Sequence, residues 1–182
     1  MAAAKASANA PRRSKPGRSL VFTGDRFYCK TLEDCNRAAL TALRHTAPLG
    51  FDVEWRVTYR KGEPARRVAL VQLCDGACCV LFHIFLCASF PAALRAILED
   101  PLRVKCGVGA ANDAAKLARD WRVSCAGVVE LGQLSRAKIS TSLSFSLNAL
   151  CVHLLHRGLS KPDCAKSGAL TRTSQDVCPP KT

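Results

Sequence analysis

In a chain rich in basic residues, two acids stand close together inside an apolar run, Gly50-Phe51-Asp52-Val53-Glu54-Trp55. Side chains alternate along a strand, so Asp52 and Glu54 share one face while Phe51, Val53 and Trp55 share the other. Two carboxylates about 6.6 Å apart on one strand repel each other unless a cation or water lies between them. The plain alternative is an edge strand with a solvated acidic face. A third acid, Asp113, follows the small-residue turn Gly107-Val108-Gly109-Ala110-Ala111-Asn112. Glycines let the backbone pass close to another strand, and the helix dipole favours an acid in the first turn. By itself, Asp113 is equally well read as a simple capping residue.

The elements that must position these acids follow from local pattern. Leu20-Val21-Phe22 is a short strand candidate followed by a Gly-Asp turn. Thr31 is the expected N-cap of a helix reaching about Arg44, with Glu33 and Asp34 in its first turn and Leu32, Cys35, Ala39 and Leu43 near one face. Gly50 to Trp55 is a strand. The apolar runs Arg67 to Cys74 and Cys78 to Phe85, separated by Asp75-Gly76-Ala77, form a hairpin. Pro91 to Glu99 has helical periodicity and Val104 to Val108 is a buried strand. Asn112 caps a helix ending at Trp121, and Val128 to Leu131 is a further strand. Leu147 to Leu155 lies in an amphipathic helix stopped by Gly158. Three antiparallel strands followed by alternating helix and strand make an α/β domain with a mixed sheet.

Composition bounds the function. The 182 residues are 48% hydrophobic and 23% charged, which sets the chain apart from disordered and from membrane proteins. Its longest apolar stretch, Cys78 to Leu94, is interrupted by His83, Ser89 and Pro91, short of the roughly 18 residues needed to span a bilayer. The net charge of +13 favours a polyanionic partner, nucleic acid or an acidic membrane surface. Residues 1–18 hold Lys5, Arg12, Arg13, Lys15 and Arg18 with no acid, and read as a disordered basic arm. Residues 19–158 are the expected domain, and 159–182 an irregular tail of Lys, Pro, Asp, Ser, Thr and Cys. The start has no apolar signal-peptide core, so the expectation is an intracellular chain with reduced thiols. The cluster PRRSKPGR reads as a nuclear localisation signal, with an organelle transit peptide or a cytoplasmic protein as alternatives.

GFDVEW, then VALVQLC with VLFHI, CGVGAANDAAKL, VVEL and SLNALCVHLL occur in this order between Val21 and Leu159. Together they resemble the Werner-syndrome-type branch of the DEDD 3′-5′ exonucleases, and FDVEW paired with GVGxxxD is the specific part of the match. The resemblance implies a ribonuclease H-like mixed sheet with three leading antiparallel strands and flanking helices. It also implies hydrolysis of terminal phosphodiesters of DNA or RNA by two-metal-ion chemistry. Asp52, Glu54 and Asp113 then correspond to catalytic ligands of Mg2+ or Mn2+. Arg12, Arg13, Lys15 and Arg18 would meet phosphate. Trp55 and Leu73 would either border the groove for the terminal nucleotides or pack in the core.

The pattern is incomplete at its end. The family carries a Tyr-x-x-x-Asp motif on a late helix, where the Tyr orients the attacking water and the Asp completes the metal site. The only tyrosines here are Tyr28 and Tyr59, and Arg172 stands where Tyr would precede Asp176. Arg cannot act as a base. His153 and His156 fall within the preceding helix, so the histidine variant does not apply either. Counted from Ser146, the motif is expected near or just beyond Thr182, and the tail reads as a truncated or alternatively spliced end. The expectation is therefore an impaired exonuclease, with a non-catalytic nucleic-acid- or partner-binding module of the same fold as the alternative. Apolar surface left uncovered on the sheet and on the Leu147–Leu155 helix should favour self-association. Cys74, Cys78 and Cys79 have a spacing that zinc sites use, but buried reduced thiols behave as small hydrophobes, the preferred reading here.

Overall fold

A computed structural model describes residues 17–43, 47–57, 62–139 and 146–159. Its centre is the strand that carries the paired acids, β3 (Leu49–Glu54), in which Leu49, Phe51 and Val53 are buried while Gly50, Asp52 and Glu54 are exposed. β4 (Leu70–Cys74) pairs antiparallel with β3, placing Gln72 opposite Asp52 and Leu70 opposite Glu54. β5 (Cys78–Phe82) pairs antiparallel with β4. The hairpin turn closes because the Asp75 carboxylate accepts from the Ala77 and Cys78 amides at 3.0 and 2.9 Å. Gly76 supplies the positive φ of +91° there. On the other side of β3 lie β6 (Lys105–Gly107) and then β7 (Val128–Glu130), both parallel.

The three expected antiparallel strands are thus present, flanked by a parallel pair, in the order β5-β4-β3-β6-β7. A strand not expected from the sequence, β2 (Asp25–Cys29), extends this sheet by running parallel to β5, which makes six strands. The Gly-Asp step read as a turn therefore ends where β2 begins, and the first short strand lies earlier, at β1 (Gly17–Leu20). β1 belongs to a separate parallel pair with β8 (Arg157–Leu159).

The helices cover the buried side chains. α1 (Leu32–Thr41) begins as expected, with the Thr31 hydroxyl accepting from the Asp34 amide at 3.1 Å. Cys35, Ala39 and Leu43 join the core, with Leu32 packed against it. α2 (Ala92–Glu99) lies beside α1 and buries Leu94 and Leu98. α3 (Ala110–Trp121) packs on β3, β6 and β7 and buries Leu117. α4 (Leu131–Lys138) follows β7 directly and has no counterpart among the sequence expectations. α5 (Leu147–Leu155) matches its expected span, but its terminating left-handed residue is His156, two residues before Gly158, which lies in β8. His153 and His156 are exposed, and Leu147, Leu154 and Leu155 are about half exposed. All nine cysteines among the described residues are free thiols; of the three expected to act as buried hydrophobes, Cys78 is buried while Cys74 and Cys79 are half-buried. No helix among them is long and apolar enough to cross a membrane.

Candidate active site

Three pieces of backbone meet at the C-terminal end of β3. β3 delivers Asp52 and Glu54 from its exposed face, and β6 runs parallel to it. Gly107 makes the approach possible: a Cβ there would lie 2.6 Å from the Phe51 carbonyl oxygen, closer than any side chain tolerates. Two residues on, Gly109 takes φ +88° and starts α3, so that Asp113 emerges in the first turn. The result is a cleft of about 380 Å³ lined by Asp52, Glu54 and Asp113 together with Trp55, Val57 and Val108.

The helix start differs from expectation, because Gly109, not Asn112, is the capping residue and offers no side chain. The acceptor comes from β7 instead. The Glu130 carboxylate takes hydrogen bonds from the Gly109 amide at 2.9 and 3.0 Å and from the Ala111 amide at 3.5 Å. It also caps α4 through the Gly132 amide at 3.1 Å. One carboxylate thereby serves two helix N-termini, where partial positive charge collects. Burial alone would raise its pKa, but the amides of Gly109, Gly132, Ala111 and Ala110 hold it below the ordinary glutamate value. Nothing within the VVEL run marks this role, since it depends on the distance between two segments about twenty residues apart.

The other three carboxylates shift the opposite way. Burial raises Asp52, and burial followed by the charge of Asp52 raises Glu54. Asp113, only 9% exposed, is pushed up to about 6 by burial first and then by Asp52, Glu54 and Glu130. Three acids in a cleft that disfavours their charge, with oxygen donors only, suit a hard divalent cation such as Mg2+ or Mn2+. They line the cleft without closing on one point: among the described residues no three His, Cys, Asp or Glu side chains form a ready-made ligand cluster. The same holds for Cys74, Cys78 and Cys79, so no zinc site is found there.

Two further side chains act on the site and have only weak local signals. The Gln72 amide donates to Asp52 Oδ2 at 3.0 Å, which fixes the rotation of that carboxylate. Lys116, one turn beyond Asp113 on α3, is 7% exposed and places its ammonium 4.9 Å from the centre of the Trp55 ring. Its other contacts are the Arg66 carbonyl at 2.9 Å and Asp120 Oδ2 at 2.8 Å. Trp55 therefore does not continue the buried face of Phe51 and Val53: it lies beyond the strand end, 36% exposed, at the cleft rim. Leu73, opposite Phe51, is fully buried in the core. Arg18 lies on β1, while Arg12, Arg13 and Lys15 lie outside the described residues, as do Tyr59, Arg172 and Asp176.

Comparison with known proteins identifies the family. A family model described as 3′-5′ exonuclease matches residues 28–178. A 3′-5′ exonuclease of Arabidopsis thaliana is 32% identical over 160 residues, covering 82% of this chain and 55% of that protein. The bifunctional 3′-5′ exonuclease/ATP-dependent helicase WRN of Mus musculus is 36% identical over 146 residues, covering 78% of this chain and 10% of that protein. The chain thus spans about half the length, or less, of these relatives. Among solved structures, the EXD2 exonuclease domain soaked in Mg and GMP matches with a TM-score of 0.52 at 22% identity, covering 83% of this chain and 77% of that one. That likeness supports the ribonuclease H-like fold. The matched span begins in β2, passes through all three carboxylates of the cleft and continues beyond α5, and on that ground the chain belongs to the DEDD 3′-5′ exonuclease family.

Proposed function

We propose that this chain hydrolyses the terminal phosphodiester at 3′ ends of DNA or RNA, with Asp52, Glu54 and Asp113 as the ligands of Mg2+ or Mn2+. The observation that carries the reading is the delivery of these three carboxylates into one cleft by β3 and α3, with the pKa of each raised. Bound divalent ions would supply a water of lowered pKa and offset the charge developing on the departing 3′ oxygen. Gln72 holds the Asp52 carboxylate in one orientation. Trp55, braced by Lys116, offers a ring face at the rim for the terminal base. The arm residues Arg12, Arg13, Lys15 and Arg18 attract the phosphate backbone through counterion release.

The second reading, a binding module of the same fold, is favoured by one observation: no Tyr follows Tyr59 within the 182 residues. Glu130 does not substitute for the fourth acid, because its oxygens are engaged by backbone amides. On this reading a reaction without a residue to orient the water would be slower by on the order of 10²–10⁴. A single-turnover assay on a 3′-recessed duplex with Mn2+ tests both readings, comparing the chain, Asp52→Ala, and a fusion bearing a Tyr-x-x-x-Asp helix. Slow cleavage that Asp52→Ala abolishes and the fusion accelerates is expected. Cleavage as fast as the fusion's refutes the impairment, and no Asp52-dependent cleavage in any form refutes the exonuclease reading. The half-exposed leucines of α5 support self-association, which sedimentation at increasing concentration measures. PRRSKPGR supports a nuclear location, to be compared in cells with and without residues 11–18.

A further inference from the structure

The register of the sheet connects the cleft to its far edge. Asp52 pairs with Gln72, Gln72 with Leu81, and Leu81 with Tyr28, so these four side chains stand in one row on one face. Three strand spacings separate Asp52 from Tyr28, about 14 Å. The edge strand β2 ends this row with Arg26 and Tyr28 on the same face, and Lys30 follows at the strand's end, all three exposed. Tyr28 is 45% exposed, with a hydrogen bond of 2.5 Å between its hydroxyl and His83 Nδ1. The Lys30 ammonium lies 5.1 Å from the Tyr28 ring centre. The Arg26 guanidinium lies 5.7 Å from the Phe22 ring centre and donates to the Phe22 carbonyl at 2.5 Å. Burial, then the charge of Lys30, pushes the pKa of His83 below its ordinary value.

An aromatic ring held in place and flanked by cations is what single-stranded nucleic acid uses: bases stack on the ring and phosphates meet the cations. Charged residues on an edge strand also deter sheet-to-sheet pairing, but that role needs no exposed Tyr anchored by His83. A stacked strand advances about 3.4 Å per nucleotide, so 14 Å corresponds to roughly four nucleotides.

We infer that the β2 edge, through Tyr28 with Arg26 and Lys30, is a docking platform for the single strand of DNA or RNA about four nucleotides upstream of the 3′ end held in the cleft. The inference rests on the proposed exonuclease reading and names where the same substrate continues. Tyr28 supplies the stacking surface, His83 fixes its ring, and Arg26 and Lys30 meet phosphates. Binding should therefore gain sharply once the strand is long enough to reach β2.

The test is fluorescence anisotropy in EDTA, where no cleavage occurs, with 5′-labelled oligo-dT and oligo-rU of three and of ten nucleotides. Tyr28→Ala is expected to weaken binding of the ten-mer roughly 5- to 100-fold, the loss of one base–aromatic stack, and to leave the trimer unchanged. Tyr28→Phe keeps the ring but loses its hydrogen bond to His83, and should lose less ten-mer affinity than Tyr28→Ala. Lys30→Ala should lower the salt slope for the ten-mer by about 0.7. Comparing the dT and rU arms shows which nucleic acid the platform prefers. Equal ten-mer affinity for Tyr28→Ala and the unmodified chain would overturn the platform. Equal loss for trimer and ten-mer would do so too, since it marks general damage to the domain. Failure of the exonuclease reading registers separately, as absence of Asp52-dependent cleavage in the Mn2+ assay.

Discussion

Replacing Asp113 by Asn removes one charge from a crowded cleft while preserving the shape of the side chain, so its effect on stability isolates the electrostatics. The Asp113 carboxyl, raised by burial first and then by Asp52, Glu54 and Glu130, goes from 3.8 to about 6 in the folded chain. Below pH 3.8 both folded and unfolded forms are protonated, and the group is neutral to stability. Between 3.8 and 6 the folded form keeps a proton that the unfolded form has released, so stability falls as pH rises. Above 6 the full penalty applies. Roughly two pH units at 1.36 kcal/mol each give on the order of 3 kcal/mol. Asp113→Asn should recover about 1–3 kcal/mol at pH 7.5 in metal-free buffer and almost nothing at pH 3.5, a midpoint gain of several degrees. Mn2+ should then raise the midpoint of the unmodified chain more than that of Asp113→Asn, because the ion stabilises only the form that binds it. The assay is thermal unfolding by circular dichroism at the two pH values, with and without Mn2+. A variant that is less stable at both pH values, or equally stable at pH 7.5, would refute the claim that the three carboxylates repel one another in one cleft.

Gly107→Ala forces a methyl against the Phe51 carbonyl and should cost about 1–3 kcal/mol by urea unfolding, with loss of Asp52-dependent cleavage; an unchanged midpoint refutes the close approach. Glu130→Gln weakens the shared cap of α3 and α4 and should cost about 1–2 kcal/mol at pH 7. Because the Glu130 pKa is lowered in the folded chain, this stability is present above the unfolded glutamate value near 4.5 and fades as pH falls through the folded one, the reverse of Asp113. Deleting residues 1–16 removes Lys5, Arg12, Arg13 and Lys15 and should reduce the salt slope of single-strand binding by up to about 3. An unchanged slope means that the arm does not touch phosphate.

Local pattern made much of this protein legible from sequence. Alternation along Gly50 to Trp55 placed Asp52 and Glu54 on one face because the side-chain period of a strand is a property of the backbone, and the observed burial follows it as far as Glu54. Asp75-Gly76 gave the hairpin and Thr31 the start of α1, since each acts on amides within three residues of itself. The features missed depend on segments distant in sequence. Gly109 caps α3 only because Glu130 arrives from β7 with the acceptor that Asn112 was expected to provide. Asp25–Cys29 carries no strong strand pattern and becomes a strand by pairing with β5, some fifty residues later. Trp55 leaves the buried face because the strand ends at Glu54 and the Lys116 ammonium, delivered by α3, meets its ring. Sequence alone could place each carboxylate on its own element; their shared cleft, and the burial and mutual repulsion that raise Asp113, exist only once β6 passes close enough to β3 for Gly107 to be the residue that fits.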